Sequence, residues 1–201
     1  MHLFGLTGGI ATGKSTVARM LRELHGIPVI DADAVSREVV AIGQPAYQQI
    51  VDRFGTRMVL PSGGLDRAAL RAHVFSDDAA RQDLEAITHP AIRARMTQHL
   101  EQLAREGHPL AGVEAALLVE TGSYKMYQTL VVVSASDAVQ RQRLMARDGS
   151  TSAQVEQILQ AQMPQQAKID VADLHVDNSG GLEELTRRVD DLALELMARC
   201  Q

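Results

Sequence analysis

Gly8-Gly9-Ile10-Ala11-Thr12-Gly13-Lys14-Ser15 fits the spacing G-x-x-x-x-G-K-[ST] at every position. Each residue type there has a physical part in holding phosphate. Glycines let the backbone turn so that several N–H groups converge into a concave anion site. A helix beginning near Lys14 aims its positive dipole end at the same point. Lys14 can reach β- and γ-phosphates, Ser15 can offer its hydroxyl to Mg²⁺, and Thr16 adds a hydroxyl near an α-phosphate. Such a pattern is informative only between a strand and a helix. That context is present. Leu3-Phe4-Gly5-Leu6-Thr7 is a short apolar run, and Val17, Met20, Leu21 and Leu24 repeat at i, i+3, i+4, i+7.

A second candidate group is Asp31-Ala32-Asp33, at the end of the run Ile27-Pro28-Val29-Ile30-Asp31. Strand, helix, strand is a βαβ unit with parallel pairing, and ligands of such sheets gather beyond the carboxyl ends of the strands. Two residues apart on extended backbone, Asp31 and Asp33 tend to face the same way. Beside bound phosphate, one carboxylate can take the proton of an attacking hydroxyl and one can steer Mg²⁺ through water. Both also suit a turn or an N-cap before a helix near Ala34. Arg37, four residues after Asp33, favours a functional reading of Asp33, with acid and base on one helical face.

The elements that must position these residues follow from the rest of the pattern. From Ala34 to about Pro109 the chain reads as mostly helical. It is punctuated at Gly43-Gln44-Pro45, Pro61-Ser62-Gly63-Gly64, Thr88-His89-Pro90 and Gly107-His108-Pro109, with Ser76 as N-cap of a helix near Asp77. The α/β rhythm resumes with the apolar stretch 110–119 and the β-branched run Leu130-Val131-Val132-Val133. Residues 137–163 read as helical with a break at Asp148-Gly149-Ser150, and Pro164 suggests another break. Leu174-His175-Val176-Asp177 reads as the last strand. Leu182, Leu185, Val189, Leu192 and Leu196 mark the inner face of a final helix. The expected fold is α/β, of the three-layer P-loop NTPase type. It has a parallel sheet of about five strands, helices on both faces, a helical insert and a helical lid. The expected domains are residues 1–33 with 110–201, carrying a lid at about 137–165, and the insert 34–109.

Several stretches, in chain order, resemble the dephospho-CoA kinase family. They are the phosphate loop, Asp31-Ala32-Asp33 with Arg37, Leu65-Asp66-Arg67 with Leu70 and Val74-Phe75, and His89-Pro90. Leu117-Leu118-Val119-Glu120, Arg143-Leu144-Met145-Ala146-Arg147-Asp148, Ala172-Asp173 and Val176-Asp177-Asn178 follow. The resemblance implies transfer of the γ-phosphate of ATP to the ribose 3′-hydroxyl of dephospho-CoA, with Mg²⁺, giving coenzyme A and ADP in the last step of coenzyme A synthesis. It implies catalytic roles for Lys14, Asp33, Arg143 and Arg147, with Asp33 as the base. ATP would bind at Gly8, Gly9, Ile10, Ala11, Thr12, Gly13, Lys14, Ser15 and Thr16, and at Asn178 on the adenine side. Dephospho-CoA would bind at Asp33, Arg37, His89 and Glu120 on the insert and beside it, and Ser15 would hold the metal. The chain departs from the family in two places. Ala116 stands where Pro is usual before Leu-Leu-x-Glu. Glu114 stands where Asp is common on the strand carrying a supporting Mg²⁺ carboxylate.

Other readings are weaker. Another small P-loop nucleotide or metabolite kinase would share the loop and differ in the insert. A GTPase would need N-K-x-D, and the sole asparagine, Asn178, is followed by Ser179. A motor ATPase would need a strand ending in Asp-Glu, whereas Leu130–Val133 runs into Ser134-Ala135. The chain of 201 residues is 45% hydrophobic and 22% charged, an ordinary globular composition. A net charge of −5 lacks the basic footprint of a nucleic-acid binder. A single cysteine, Cys200, allows no internal disulfide and suits a reducing cytoplasm. There is no run of 18 apolar residues for a membrane span, no signal-like leader, and no feature calling for an obligate protein partner.

Overall fold

In the computed structural model, which describes residues 1–200, the apolar run at the start becomes strand β1 (His2–Gly8), and Lys14–His25 forms α1. Strand β2 (Val29–Asp31) follows. The sheet is completed by β3 (Leu110–Glu114), β4 (Thr129–Ser134) and β5 (Leu174–Asp177). The strand order is β2-β3-β1-β4-β5, and every pairing is parallel. The chain winds first to one side of β1 and then to the other. A crevice therefore opens at the carboxyl end of β1, where the phosphate loop leaves.

Period-two alternation divides the strands between two faces. Phe4, Leu6, Val131, Val133 and Val176 face α1 and the last helix, α9 (Leu182–Ala198), and join Val17, Leu21, Leu185, Val189 and Leu196 in one buried cluster. Leu130 and Val132 face the opposite side, with Leu118, Tyr127 and Ile169. Complete burial of such a side chain contributes roughly 1.5–3 kcal/mol. Between β4 and β5 lie α6 (Asp137–Asp148), α7 (Ser152–Gln160) and α8 (Gln165–Ile169). The expected breaks fall between them: Gly149 closes α6 in the left-handed region and Pro164 caps α8.

The chain divides into two compact units, Met1–Asp31 with Leu103 onward, and Ala32–Gln102. The second contains α2 (Ala32–Glu38), α3 (Pro45–Phe54), α4 (Arg67–Ser76) and most of α5 (Asp78–Arg105). Its buried side chains include Val35, Val39, Ile50, Phe54, Met58, Leu65 and Leu70. Of the 28 residues of α5, only Ala80 is buried.

Three local expectations are corrected. Ser76 is the last residue of α4, where its hydroxyl donates back to the Ala72 and His73 carbonyls. The cap of α5 is Asp77, whose carboxylate accepts from the Ala80 N–H at 3.0 Å. That hydrogen bond outweighs the effect of burial and holds the Asp77 carboxyl below the usual carboxylate range. Thr88-His89-Pro90 does not interrupt the chain, because α5 runs through Pro90. Pro90 removes one backbone donor, and beside it the Thr88 hydroxyl donates to the Leu84 carbonyl at 2.8 Å. The apolar stretch 110–119 is strand only to Glu114, level with the end of β2, and then turns back through Gly122 in the left-handed region.

Candidate active site

The loop between β1 and α1 turns through Ala11 at φ 56° and Gly13 at φ 91°. Ala11 is the sole non-glycine residue in that region among those described, a conformation that costs roughly 1–2 kcal/mol for a residue with a Cβ. At Gly8 a Cβ would collide with the Val133 carbonyl, and at Gly13 with the Asn178 amide. The glycines are thus fixed by close approach as well as by conformation.

Around the loop, side-chain donors take its carbonyls. Thr12 Oγ1 donates to Gly9 at 2.9 Å, and Lys14 Nζ to the same oxygen at 3.4 Å. Arg143 Nη1 donates to Ala11 and Thr12, each at 3.3 Å. Asn178 Nδ2 donates to Thr12 at 2.8 Å. Arg143 also donates to the Asn178 carbonyl and to Oδ1. Arg143 and Asn178 therefore hold the loop's shape, and the Asn178 amide that sequence reading assigned to a base edge is turned to the loop. Asn178 is seated by its neighbours. Arg188 donates to the Asp177 carbonyl at 2.7 Å and pairs with the Asp177 carboxylate at 3.1 Å. Burial raises the Asp177 pKa, but the Ser179 hydroxyl and Arg188 together outweigh it and hold that carboxyl below its usual range.

A cavity of about 710 Å³ opens on the loop. Ala11, Gly13, Lys14, Ser15 and Thr16 form its polar end, Arg143, Arg147 and Asn178 its side, and Ala146, Leu182 and Leu185 an apolar wall. Arg147 is exposed at this wall, with its guanidinium on the Asp148 carboxylate at 2.7 Å. The size suits a nucleotide-sized ligand.

Ser15 Oγ donates to Glu114 Oε1 at 2.6 Å, and Glu114 is 7% exposed at the end of β3. Asp31 is its register partner on β2. With its proton turned to Glu114, the Ser15 hydroxyl keeps its lone pairs for a cation. Glu120 lies in the turn after β3. Its carboxylate pairs with Lys168 Nζ of α8 at 2.5 Å, with the Lys168 side chain 1% exposed. Its second oxygen is buried without a hydrogen-bond partner. Asp33, Arg37 and His89 lie in the helical unit at exposed helix positions, the first two on α2 and the third in α5. The Arg37 carbonyl accepts from Arg67. The neighbouring Glu38 ties α2 to α5 through Arg95 at 3.0 Å and His99 at 3.4 Å.

Sequence reading puts Glu114 at the strand position of a supporting Mg²⁺ carboxylate, as a departure from the usual Asp, and the structure sets it on the Ser15 hydroxyl. Gln140 and Gln162, which also bond the loop, carried no signal in the sequence.

A family model described as dephospho-CoA kinase matches residues 2–184. The chain belongs to the dephospho-CoA kinase family. Curated relatives agree. A protein of Anaeromyxobacter dehalogenans named dephospho-CoA kinase is 48% identical over 98% of this chain and 92% of its own length. One of Geobacter sulfurreducens with the same name is 46% identical over 96% of this chain and 97% of its own. A crystal structure of a Thermus thermophilus protein superposes with a TM-score of 0.77 at 34% identity, covering 97% of both chains. The family's three-layer α/β fold is that of this chain, and the sequence expectations for family and fold are met.

Proposed function

We propose that this chain phosphorylates the ribose 3′-hydroxyl of dephospho-CoA with ATP, yielding coenzyme A and ADP. The hydrogen bond from Ser15, at the end of the phosphate loop, to Glu114, at the end of β3, carries the reading. A hydroxyl oriented by a buried carboxylate beside a preformed anion nest is suited to a metal-bound nucleoside triphosphate. The phosphates would lie on the N–H groups of residues 11–16 and the adenine against Ala146, Leu182 and Leu185. Mg²⁺ would take the Ser15 hydroxyl, the phosphate oxygens and water, with Glu114 and Asp31 acting through that hydroxyl and those waters. Few protein ligands suffice, because Mg²⁺ keeps most of its water and leans on phosphate. When bound, the ion neutralises charge building between the β- and γ-phosphates.

The rest of the chemistry is assigned to this chain's own side chains. Lys14 stabilises charge on the γ-phosphoryl group. Arg143 supports it through the loop, and Arg147, the exposed arginine of the lid at about 137–165, adds to it when the lid closes. Asp33 orients the acceptor hydroxyl and takes its proton, and Arg37 and His89 of the insert 34–109 hold the acceptor. Glu120 supports the acceptor side through the turn it fixes with Lys168. Substrates are small molecules, with no nucleic acid, membrane or obligate protein partner, and the chain works in a reducing cytoplasm. The lone cysteine suits a reducing setting, and among the described residues no helix is long and apolar enough to cross a membrane.

The deciding experiment follows ADP release from ATP and Mg²⁺ with and without dephospho-CoA. Dephospho-CoA should stimulate it, with coenzyme A as product. Asp33→Asn should lower kcat by roughly 10²–10⁴ with ATP affinity unchanged. Glu114→Gln should raise the Mg²⁺ needed for half-maximal rate by about tenfold. No stimulation by dephospho-CoA would overturn the acceptor, and an unchanged kcat in the Asp33 variant would remove the base.

A further inference from the structure

Ile10 is held on both sides of its backbone by two glutamines that the chemistry described so far does not use. Gln140 Nε2, on α6, donates to the Ile10 carbonyl at 2.7 Å. Gln162 Oε1, in the link between α7 and α8, accepts from the Ile10 N–H at 2.9 Å. Gln140 is 5% exposed. Both side chains press so closely on the loop that a Cβ at Gly9 would meet them at 3.2 and 3.3 Å. One turn further along α6, Arg143 takes the next two carbonyls, those of Ala11 and Thr12.

Across a planar trans peptide, the C=O of one residue and the N–H of the next point in opposite directions. Fixing the Ile10, Ala11 and Thr12 carbonyls outward therefore aims the Ala11, Thr12 and Gly13 N–H groups inward. Ala11 needs this most, because its left-handed backbone is held against its own preference. Arg141 Nη2 and Glu156 Oε2, 3.1 Å apart, tie α6 to α7, so both glutamines come from one joined helical segment.

We propose that Gln140 and Gln162 are positioning residues that give the loop its affinity for the outer phosphates. They make that affinity depend on the α6–α8 segment. The proposal rests on the kinase reading for its setting, but its test needs no acceptor.

The experiment measures ADP and AMP binding calorimetrically to the full chain carrying Gln140→Met, Gln162→Met or both, with melting temperature recorded. Methionine keeps the bulk and removes the hydrogen bond. The double variant should bind ADP about tenfold more weakly, bind AMP as the parent does, and melt within a few degrees of it. Gln160→Met, a change in the same segment outside the loop's hydrogen bonds, should bind both as the parent does. In turnover the double variant should lose kcat at saturating ATP while KM for dephospho-CoA stays constant. Unchanged ADP affinity in a folded double variant would overturn the proposal, as would equal losses for ADP and AMP. If the double variant fails to fold, the single variants decide, and ADP affinity unchanged in both overturns it. Absence of dephospho-CoA stimulation in the parent would sink the kinase reading and leave the binding result intact.

Discussion

Between Gly9 and Thr12 every loop carbonyl accepts a side-chain hydrogen bond, and several of the donors are buried. In the helical unit, Asp33, Arg37 and His89 stand at exposed positions, and the long α5 buries one side chain in 28. On the proposed function the two regions would serve different ends, the loop holding a triphosphate and the helical unit an acceptor. A triphosphate is met by many backbone dipoles at once, and their alignment must exist before binding to be worth its full effect. An acceptor is met by a few long side chains, which can find their partners as they bind. Strain and burial are accordingly concentrated in the sheet unit.

Stability measurements can sharpen or break this contrast. The largest loss should come from Lys168→Met, which strands the Glu120 carboxylate, one oxygen of which is already buried without a hydrogen-bond partner. Removing one member of a buried ion pair costs about 3 kcal/mol or more, a fall of roughly 6–12 °C in Tm for a chain of this size. Thermal melts check it, and a loss under about 1 kcal/mol would show the pair to be solvated. Gly13→Ala should follow, at about 2 kcal/mol, for a Cβ at φ 91° that also displaces Asn178. Turnover should vanish with it. Asp177→Asn should have a smaller effect, and only above acid pH. The folded carboxyl titrates below its unfolded value, so its contribution is present above the unfolded pKa and is lost as pH falls through the folded one. The parent and the variant should therefore converge in melts as pH falls below the usual carboxylate range. Arg37→Ala and His89→Ala come last, within about 0.5 kcal/mol of the parent while KM for the acceptor rises. If the Arg37 variant lost as much stability as the Lys168 variant, the contrast between the two regions would collapse.

The sequence was most legible where chemistry is local. Gly8 to Ser15 announces a phosphate loop because eight adjacent residues build it, and the continuous β-branched run Leu130–Val133 announces a strand buried on both faces. Ser76 misled because hydroxyl and carboxylate caps look alike in sequence, and the next residue, Asp77, accepts the Ala80 N–H. Pro90 misled because a long helix can absorb one missing donor. Gln140 and Gln162 were invisible for a different reason. A glutamine is ordinary at any exposed helix position, and only the folded chain brings these two to Ile10. Glu114 lay between the cases, legible as a supporting carboxylate of a metal site and illegible as the hydrogen-bond partner of Ser15 until both met at the carboxyl end of the sheet.

The order β2-β3-β1-β4-β5 also has a consequence for how the chain is made. Strand β1 lies between β3 and β4, and its first residues pair with Leu110 and Thr129. A nascent chain has therefore produced β1, the phosphate loop and the whole helical insert before β1 gains a neighbour. The glycine-rich loop can acquire its full set of hydrogen bonds only after the ribosome has passed Asn178. Until β3 and β4 emerge, an apolar strand with open edges is exposed, the kind of segment that mispairs or aggregates when it waits for its neighbours.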